Sequence, residues 1–519
     1  MSASQRFRRQ NRRKNREMVA WQDCETTQDK LHLDVHANEA ELKQQWANCD
    51  DFVCTFRNIH QRHLMFVTIG TLVDDAIFHS VLESLHEIDA PLSSIEQMQS
   101  LINVGKCDLI DDFHQVNQAL CDGWILIFVH DEPQAIAIET QNLPQRAIEK
   151  PELEPTILGP QQAFIETLAT NIALVRARLK SQRLKVVFLT VGTVSQTKAA
   201  LTYIEGIAKP TLIEEVITRF KSIELDAVLD SNYVIELVRD APRSLFPTIQ
   251  STERPDRTAA SLLRGQFAIL VDGSPGAIVA PVGLFDFFET PEDLYTSYLL
   301  SFPIRLLRHF NFWLSLLGPS LYIALLTFQQ EMLPTRLLLA LQQTHEGIPF
   351  PTIIEAAFME MTFESLREAG IRLPRTVGQS VSIVGALVIG DAAVNAGIVS
   401  PGMVIVVAAT GIASFSIPSY NLAFATRVLR FPCMFAAGMF GLYGVSIFML
   451  MLFVHLLSIR SFGVPYISML SSQRFSSWKR VIFRGPMWAN VPRSQLNEPL
   501  DKKRSSNVRP SPSRGKSRG

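Results

Sequence analysis

The chain has 519 residues and a formal net charge of −1, so its overall charge gives no reason to expect a nucleic-acid partner. Hydrophobic residues make up 47% of the sequence, which allows several domains and a substantial core. The six cysteines form no CxxC pair and have no histidines at zinc-ligand spacing. We therefore expect a reducing compartment, no metal site and no cofactor.

The two ends of the chain are strongly basic. Six arginines and one lysine lie between Arg6 and Arg16, and lysines and arginines cluster again in 500–519. We predict a disordered basic tail at 1–40 and a basic cytoplasmic tail at 467–519. Such tails are usually solvated, and they can also contact anionic lipid headgroups on the cytoplasmic side of a membrane. No apolar segment follows the N-terminal arginines in the way a secretory signal peptide requires.

A strand–turn–strand pattern occurs twice before residue 300. Residues 123–136 and 265–278 align without gaps and share Gly, Ile, Val, Pro, Ala and Ile in the same order. Both segments predict a β-hairpin, and chance similarity is the alternative to duplication. Upstream of each hairpin a predicted strand precedes an amphipathic helix. These strands are Leu64–Leu72 and Ala199–Ile207, and these helices are Asp75–Leu85 and Thr211–Ile223.

The predicted fold class is an α/β soluble region of two related subdomains followed by an all-α transmembrane helical domain. We place the first soluble subdomain at 41–145 and the second at 161–298. The linker between them, 146–160, contains several prolines. An apolar face along Gln161–Lys180 predicts a helix at the start of the second subdomain. The helical domain is assigned to 299–466.

Four long apolar runs follow residue 300. They are His309–Phe328, Ser380–Val399, Met403–Ala423 and Met434–Ser458. Each has about 20 residues, which as a helix spans about 30 Å and matches the hydrocarbon core of a bilayer. We favour four crossings with a re-entrant or interfacial segment at 331–375. The alternative is a set of buried helices in a large soluble domain.

Short motifs occur in a fixed order between residues 155 and 466. They include Gly159-Pro-Gln-Gln, Phe246-Pro-Thr248, Thr252-Glu-Arg-Pro-Asp256, Leu270-Val-Asp-Gly-Ser-Pro275, Pro349-Phe-Pro351, Phe363-Glu-Ser-Leu-Arg-Glu-Ala-Gly370 and Gly385-Ala-Leu-Val-Ile-Gly390. With these motifs the chain resembles the A-subunit family of the GerA-type spore germination receptors. One departure is that the family usually continues with prolines after Tyr466, whereas this chain does not.

The resemblance implies an integral membrane protein of the spore inner membrane, and both basic tails favour a cytoplasmic soluble region. It implies a receptor completed by a permease-like B subunit, which binds the germinant, and by a lipoprotein C subunit. It also implies that copies of the A subunit form a homo-oligomer that acts as a ligand-gated ion channel and triggers germination. The alternatives are a related germination channel acting downstream of receptors and a stand-alone transporter. The sequence contains no catalytic motif, so we expect no enzyme.

Two polar residues interrupt the apolar helix predicted at Ser380–Val399. Asp391 and Asn395 are spaced i,i+4 and therefore share one face. A carboxylate in a membrane helix is costly, so this pair is a candidate part of an ion path, with a satisfied packing position as the alternative. The small residues of the helix allow close approach between helices and are candidates for subunit packing. They are Gly385, Gly390, Ala393 and Gly397.

An acidic stripe precedes that helix. Glu360, Glu364 and Glu368 recur every four residues, which places them on one side of a helix. Around an oligomer they would form a ring of carboxylates that attracts cations, so they are included in the candidate ion path. The alternative is an interfacial helix with a solvated polar face.

A run of alternating charges lies just before a predicted helix in the second subdomain. Arg254 is flanked by Glu253 and Asp256, and these three residues are candidates for a contact between domains or subunits. The local alternative is a helix entry with Pro255 in its first turn and Arg254 paired to Asp256.

Overall fold

The computed structural model describes residues 30–59, 62–86, 95–102, 105–140, 150–152, 154–372, 388–467 and 500–501. Of the predicted tails, residues 30–40, 467 and 500–501 are described, and 35–40 belong to a helix. Gly385 lies outside the described residues. The chain divides into two compact units. Unit 1 comprises Met1–Pro151, Gln162–Val234 and Ser251–Ile278, and unit 2 comprises Glu152–Gln161, Ile235–Gln250 and Val279–Gly519. The subdomain bounds given above remain predictions.

The first half of unit 1 is a five-stranded sheet with helices on both faces. The strand order is β1-β2-β4-β5-β3, and neighbouring strands are antiparallel. The elements are α1 (Val35–Gln45), β1 (Phe52–Ile59), β2 (Arg62–Ile69), α2 (Asp75–His86), α3 (Ile95–Leu101), β3 (Cys107–Ile110), α4 (Phe113–Cys121), β4 (Ile125–Val129) and β5 (Ala135–Ile138). Asp34 and Asp112 start α1 and α4 by accepting hydrogen bonds from first-turn N–H groups.

Strand β4 shows why the sequence has an unbroken apolar run at this position. Leu126 and Phe128 join the core formed with α1 and α4, whereas Ile127 and Val129 join the core formed with α2 and α3. A strand that is buried on both faces needs apolar residues at every position. Burying each of these side chains contributes about 1.5–3 kcal/mol.

The second α/β half repeats the strand order of the first. Its sheet has the order β6-β7-β9-β10-β8. The elements are α5 (Leu168–Arg178), β6 (Leu184–Val191), β7 (Thr197–Ile204), α6 (Pro210–Lys221), α7 (Ser231–Val238), β8 (Gln250–Thr252), α8 (Pro255–Leu262), β9 (Phe267–Val271) and β10 (Ala277–Ala280). The hairpins β4/β5 and β9/β10 occupy the same place in the two sheets, which confirms the predicted relationship between the halves.

The helix predicted at Gln161–Lys180 begins later than expected. Helix α5 starts at Leu168, and the preceding residues are not helical. The side chain of Asn171 accepts a hydrogen bond from the N–H of Ile165 at 2.9 Å and donates to its carbonyl at 2.5 Å. Because a side chain satisfies these backbone groups, the segment before Leu168 can stay extended.

A buried ion pair joins the two halves of unit 1. Arg176 on α5 donates two hydrogen bonds to Asp51, from Nε to Oδ2 and from Nη2 to Oδ1, each 2.6 Å long. Both side chains are at most 3% exposed. Burial opposes the charge of Arg176, but the carboxylate of Asp51 outweighs it and raises the pKa of Arg176 above its ordinary value. Thr71 also donates to Asp51, at 3.0 Å.

The described part of unit 2 is mainly helical. Its elements are α9 (Glu292–Tyr295), α10 (Tyr298–Thr327), α11 (Thr335–His345), α12 (Thr352–Arg372), α13 (388–395), α14 (Pro401–Phe415), α15 (Tyr420–Ser458) and the short strands β11 (Arg460–Ser461) and β12 (Val464–Pro465). Residues of α10, α12, α14 and α15 share one apolar core, which includes Ile323, Met359, Val407 and Met434. An α/β region followed by a helical part confirms the predicted fold class.

The predicted membrane spans are only partly matched. Among the described helices, α10 and α15 are long and apolar enough to cross a membrane, and α14 is shorter. A single span over Met403–Ala423 is wrong, because α14 ends at Phe415 and α15 begins at Tyr420. Pro418 lies in the break and has no N–H to continue a helix. The described part of Ser380–Val399 is helical over 388–395.

Helix α15 is broken at Gly441. This residue has φ 59° and ψ −142°, a backbone conformation essentially reserved for glycine. The Oε1 atom of Gln329 accepts the N–H of Leu442 at 3.1 Å and so satisfies a backbone group at the break. A Cβ atom on Gly441 would lie 2.7 Å from the Cβ of Phe328. The 39-residue helix therefore consists of two segments.

Replacing Gly441 with alanine is expected to lower the thermal unfolding midpoint of the detergent-purified chain. The forced backbone conformation alone costs about 1–3 kcal/mol. The matched control is Gly390→Ala, because the nearest atom to a Cβ there, Cγ1 of Val404, is 3.8 Å away. Equal midpoints for the two variants, measured by circular dichroism, would contradict a structural need for glycine at 441.

Candidate functional site

Buried charges connect the helices of unit 2. Glu360 on α12 and Arg430 on α15 form an ion pair of 2.5 Å, and each side chain is 1% exposed. Arg430 also donates to the carbonyl and the hydroxyl of Ser315 on α10, at 2.7 and 2.8 Å. Thr410 on α14 donates to Glu360 at 3.4 Å. One charged pair therefore links α10, α12, α14 and α15, four of the helices that contribute to the apolar core.

A second pair lies one turn away on the same two helices. Arg427 donates from Nη1 to Oε2 of Glu364 at 2.8 Å. Glu360 and Glu364 are spaced i,i+4, and Arg427 and Arg430 are spaced i,i+3, so the two pairs stack along one contact between α12 and α15. The third acidic residue of the stripe, Glu368, bonds to Arg372 on its own helix at 2.6 Å and is exposed.

The acidic stripe is thus matched by arginines within one chain. Each of Glu360, Glu364 and Glu368 has a guanidinium group within 2.8 Å. A paired carboxylate attracts ions less strongly than a free one, because the neighbouring positive charge lowers the field. Their place in an ion path remains a prediction, and the structure adds that these charges are compensated.

A second buried carboxylate lies near the start of α12. The Oε2 atom of Glu355 accepts the N–H of Ser400, the N-cap of α14, at 2.8 Å. Its Oε1 atom lies 3.2 Å from Nδ1 of His345, the last residue of α11. The other ring nitrogen of His345 is 3.5 Å from the hydroxyl of Tyr322. A carboxylate at a helix N-terminus is stabilised by the helix dipole, which favours this arrangement.

Asp391 and Asn395 are brought together as their spacing predicts. Both lie on α13 and are exposed, and the amide of Asn395 donates to Asp391 at 3.0 Å. Among the described residues, this hydrogen bond links two polar groups on a helix that is otherwise composed mainly of small and apolar residues.

The small residues of α13 lie mostly against the same chain. Gly390 and Ala393 are buried, and a Cβ atom on Gly390 would face Val404 of α14. Gly397 follows the helix with φ +66°, so glycine serves there for its backbone conformation. Gly385 lies outside the described residues. Packing of these residues between subunits stays a prediction.

The charged run in the second α/β half forms a local pair. Arg254 is fully buried and donates to both carboxylate oxygens of Asp256, at 3.1 and 2.9 Å. Helix α8 starts at Pro255, as the local alternative expected. Glu253 accepts the N–H of Phe164 through its backbone carbonyl at 2.8 Å. A role of these residues between domains or subunits stays a prediction.

The described cysteines of unit 1, which are Cys49, Cys54, Cys107 and Cys121, lie in environments that disfavour the reactive thiolate. Burial raises the pKa of Cys54 to about 11 and that of Cys121 to about 11. Within the described ranges, no group of three or more His, Cys, Asp and Glu side chains is arranged to hold a metal ion.

Sequence reasoning did not identify the partners of the acidic stripe. Arg427 and Arg430 are 63 and 70 residues away from the carboxylates they contact. Their i,i+3 spacing inside an apolar run was the available signal, because two arginines in a membrane helix need partners.

An α/β region followed by long apolar helices is the layout of a membrane-associated protein with a large region outside the bilayer. The chain matches the family described as "Bacillus/Clostridium GerA spore germination protein" over residues 40–496. It therefore belongs to the GerA family of spore germination proteins. The resemblance seen in the sequence is confirmed.

Several relatives are similar over most of their length. Spore germination protein KA of Bacillus subtilis (strain 168) is 40% identical over 474 residues, which cover 90% of this chain and 87% of that protein. Uncharacterized membrane protein YfkQ of the same organism is 42% identical over 393 residues, with coverages of 76% and 77%. Spore germination protein GerQA of Bacillus cereus is 37% identical over 451 residues, with coverages of 86% and 90%.

A solved structure is also similar to part of the chain. It is the N-terminal domain of the A subunit of the Bacillus megaterium spore germinant receptor GerK3, which is 28% identical. The match has a TM-score of 0.39 and covers 49% of this chain and 97% of that structure.

Proposed function

We propose that this chain is the A subunit of a germinant receptor and that its copies form a ligand-gated cation channel in the spore inner membrane. Opening of this channel would trigger germination. Membership of the GerA family supports the role in germination. The observation that supports a channel is the Asp391–Asn395 pair, which is exposed on helix α13 in the apolar part of the chain.

The carboxylate of Asp391 needs polar surroundings in a membrane helix. A charged side chain at the centre of a membrane helix costs about 3 kcal/mol on insertion scales. Asn395 donates one hydrogen bond but brings no positive charge, and no ion pair to Asp391 is seen among the described residues. Several copies arranged around a polar path would place Asp391 against water and ions instead of lipid. The small residues of the same helix region, which include Gly385 and Gly397, are the positions we propose for close packing of subunits.

The proposed ion path also includes the acidic helix α12. Its carboxylates are Glu360, Glu364 and Glu368. In the single chain, Arg430 and Arg427 pair with Glu360 and Glu364 and compensate their charges. The charge that passing ions experience therefore depends on whether these ion pairs remain formed. A movement of α12 relative to α15 would thus change the electrostatics of the path.

The proposed receptor contains two other subunits. We propose a permease-like B subunit that binds the germinant and a lipoprotein C subunit, as membership of the GerA family leads us to expect. We place the soluble N-terminal region in the cytoplasm, where the basic tails would meet anionic lipid. Gating requires that germinant binding stabilises the open state more than the closed state. A shift from 1:99 to 99:1 needs about 5.5 kcal/mol of differential binding, which several copies could share.

Replacing Asp391 with asparagine is expected to reduce cation release from spores after germinant addition, since the proposed path would lose a carboxylate that attracts cations. Glu364→Gln is the second variant, and we expect reduced or leaky release because Arg427 loses its partner. The control is Asp108→Asn, since Asp108 forms an exposed pair with Lys106 in unit 1. Release is followed by potassium-selective electrode, with protein levels checked by immunoblot.

Normal release from both variants at normal protein levels would mean that ions pass elsewhere. Co-purification tests the receptor assignment separately. A tagged chain should retain a permease-like membrane protein and a lipoprotein, and a chain recovered alone would instead favour a channel acting outside receptors.

A further inference from the structure

The two halves of unit 1 enter their first strands in the same way. The N–H of Phe52 donates to the carbonyl of Cys49 at 3.2 Å, and the N–H of Leu184 donates to the carbonyl of Ser181 at 3.1 Å. Phe52 begins β1 and Leu184 begins β6. A turn of the same length therefore leads into the first strand of each half.

The strand pairing that follows each turn also has the same phase. The N–H of Gly70 donates to the carbonyl of Asp51 at 2.8 Å, and the N–H of Glu205 donates to the carbonyl of Arg183 at 2.8 Å. Opposite residues of an antiparallel pair alternate between bonded and non-bonded positions. Every second residue of β1 and of β6, counted from the first, therefore points its N–H and carbonyl away from the neighbouring strand.

In the second half, this outer edge is capped by the first half. Strand β6 is the outermost strand of its sheet. The N–H of Asp50 donates to the carbonyl of Val186 at 2.9 Å, and the N–H of Phe188 donates to Oδ2 of Asp50 at 2.6 Å. One aspartate thus satisfies two outward backbone groups and closes an edge that could otherwise pair with another chain.

The first half has the same edge without such a cap. Strand β1 is outermost in its sheet, and Cys54 and Phe56 occupy the places of Val186 and Phe188. Within the described ranges, no hydrogen bond from outside the sheet reaches the backbone of Cys54 or Phe56. The side chains of Val53 and Phe56 are 41% and 40% exposed. The edge of β1 is therefore open to a further pairing segment.

Gln182 is the counterpart of Asp50, two positions before the first strand of the second half. Its backbone N–H has no acceptor among the described residues, whereas that of Asp50 bonds to Val186. Its Oε1 atom is covered by neighbouring atoms and forms no hydrogen bond there. A rotation of the side chain that exposes this oxygen therefore breaks no hydrogen bond of that atom. The chain thus carries an unused cap as well as an open edge.

We propose that Gln182 of one copy caps β1 of a second copy in the way that Asp50 caps β6 within the chain. The N–H of Gln182 would donate to the carbonyl of Cys54, and its amide oxygen would accept the N–H of Phe56. Cap and edge are different surfaces, so the contact is head-to-tail, and such contacts form a ring where the rotation closes. The proposal rests on the homo-oligomer of the proposed function and specifies a surface for it outside the apolar helices.

The ion pair between Arg176 and Asp51 is not repeated between copies. An asparagine early in α1 and in α5 bonds to the backbone carbonyl six residues before it, which aligns the two helices. Lys43 then takes the place of Arg176, and Arg183 takes the place of Asp51. Lys43 already bonds to Glu39 at 2.6 Å, which reduces the repulsion between the two positive charges. We therefore expect the contact between copies to be weaker than the contact between the halves.

The test is photo-crosslinking of the full chain in lipid nanodiscs. A benzophenone amino acid replaces Ser181, which is exposed and adjoins Gln182. Unlabelled and isotope-labelled copies are mixed before reconstitution, so that mass spectrometry separates crosslinks between copies from those within one copy. We expect crosslinks between copies from position 181 to residues 52–58. The control position is Val194, which is 79% exposed in the turn after β6 and should give no crosslink to these residues.

Variants of the edge and of the cap sharpen the test. Phe56→Pro removes an outward N–H and keeps the bonds between β1 and β2, and it should lower the crosslink yield about fivefold, as loss of one hydrogen bond implies. The matched control is Asn58→Pro, which removes the next outward N–H of the same strand. Gln182→Asp copies the cap of the second half and should raise the yield. Unfolding midpoints of the variants are compared by circular dichroism.

Crosslinks from position 181 that stay within one copy, or that reach another surface of the second copy, would overturn the proposal. Equal yields for Phe56→Pro and Asn58→Pro would overturn it as well. Native mass spectrometry separates this result from the proposed channel. An oligomer that forms without the crosslink to β1 would reject this surface and leave the channel standing, whereas a chain that stays monomeric in lipid would contradict both.

Discussion

Replacing Glu360 with glutamine is expected to destabilise the helical part by about 3–5 kcal/mol, because Arg430 would remain buried without its counter-charge. Arg430→Met should cost a similar amount by leaving Glu360 unpaired. The effect should be large because the pair also forms hydrogen bonds with Ser315 and Thr410. These bonds connect α10, α12, α14 and α15. Thermal unfolding of the detergent-purified chain, followed by circular dichroism, measures it.

The matched control is Glu368→Gln, which removes an exposed carboxylate from the same helix. Its pair with Arg372 should contribute less than about 1 kcal/mol. The double variant Glu360→Met with Arg430→Met removes both charges, and we expect it to recover most of the lost stability. If either single variant unfolds at the same temperature as the parent, the pair does not hold these helices together.

The α/β region was predicted well because its signals are local. Alternating and continuous apolar runs mark the strands, and the two similar hairpins indicate duplication from the sequence alone. The repeated strand order follows from that duplication. The early start assigned to the helix at Gln161–Lys180 was wrong because apolar periodicity does not reveal that Asn171 would bond to the backbone of Ile165.

The helical part was predicted less well because hydropathy does not indicate where a helix begins or ends. The apolar run Met403–Ala423 crosses a turn, and only Pro418 and the neighbouring serines hint at it. The break at Gly441 is equally hidden, since a glycine in an apolar helix more often serves close packing. Its backbone conformation becomes visible only in the folded chain.

The candidate site shows the same division between local and distant information. The spacing of Glu360, Glu364 and Glu368 correctly predicted a shared side of one helix. It could not predict whether that side meets water or other side chains, because this depends on which helix packs against it. Arg427 and Arg430 come from a helix more than 60 residues later. Sequence patterns record periodicity within an element, whereas pairing between elements is a property of the fold.

The ion pair within unit 1 leads to the other large expected effect. Arg176→Met should destabilise unit 1 by about 3–5 kcal/mol, since Asp51 would stay buried with its charge uncompensated. Asp51→Asn should act in the same direction, because Arg176 keeps its charge and loses a partner for two hydrogen bonds of 2.6 Å. Limited proteolysis of the full chain across a urea gradient, read at cleavage sites in unit 1, reports the loss.

Lys180→Gln is the control for this pair because Lys180, two residues after the end of α5, also contacts the first α/β half, through Asp122 at 2.6 Å. Lys180 is half exposed, so water replaces the lost contact and the change should stay below about 1 kcal/mol. The Arg176 and Lys180 ion pairs have equal lengths. A difference in stability between the two variants would therefore come from the burial of the Arg176 pair and not from its distance. Equal protease sensitivity of Arg176→Met and Lys180→Gln would show that the buried pair does not hold the two halves together. A selective loss in Arg176→Met would mean that the duplicated halves depend on each other for stability.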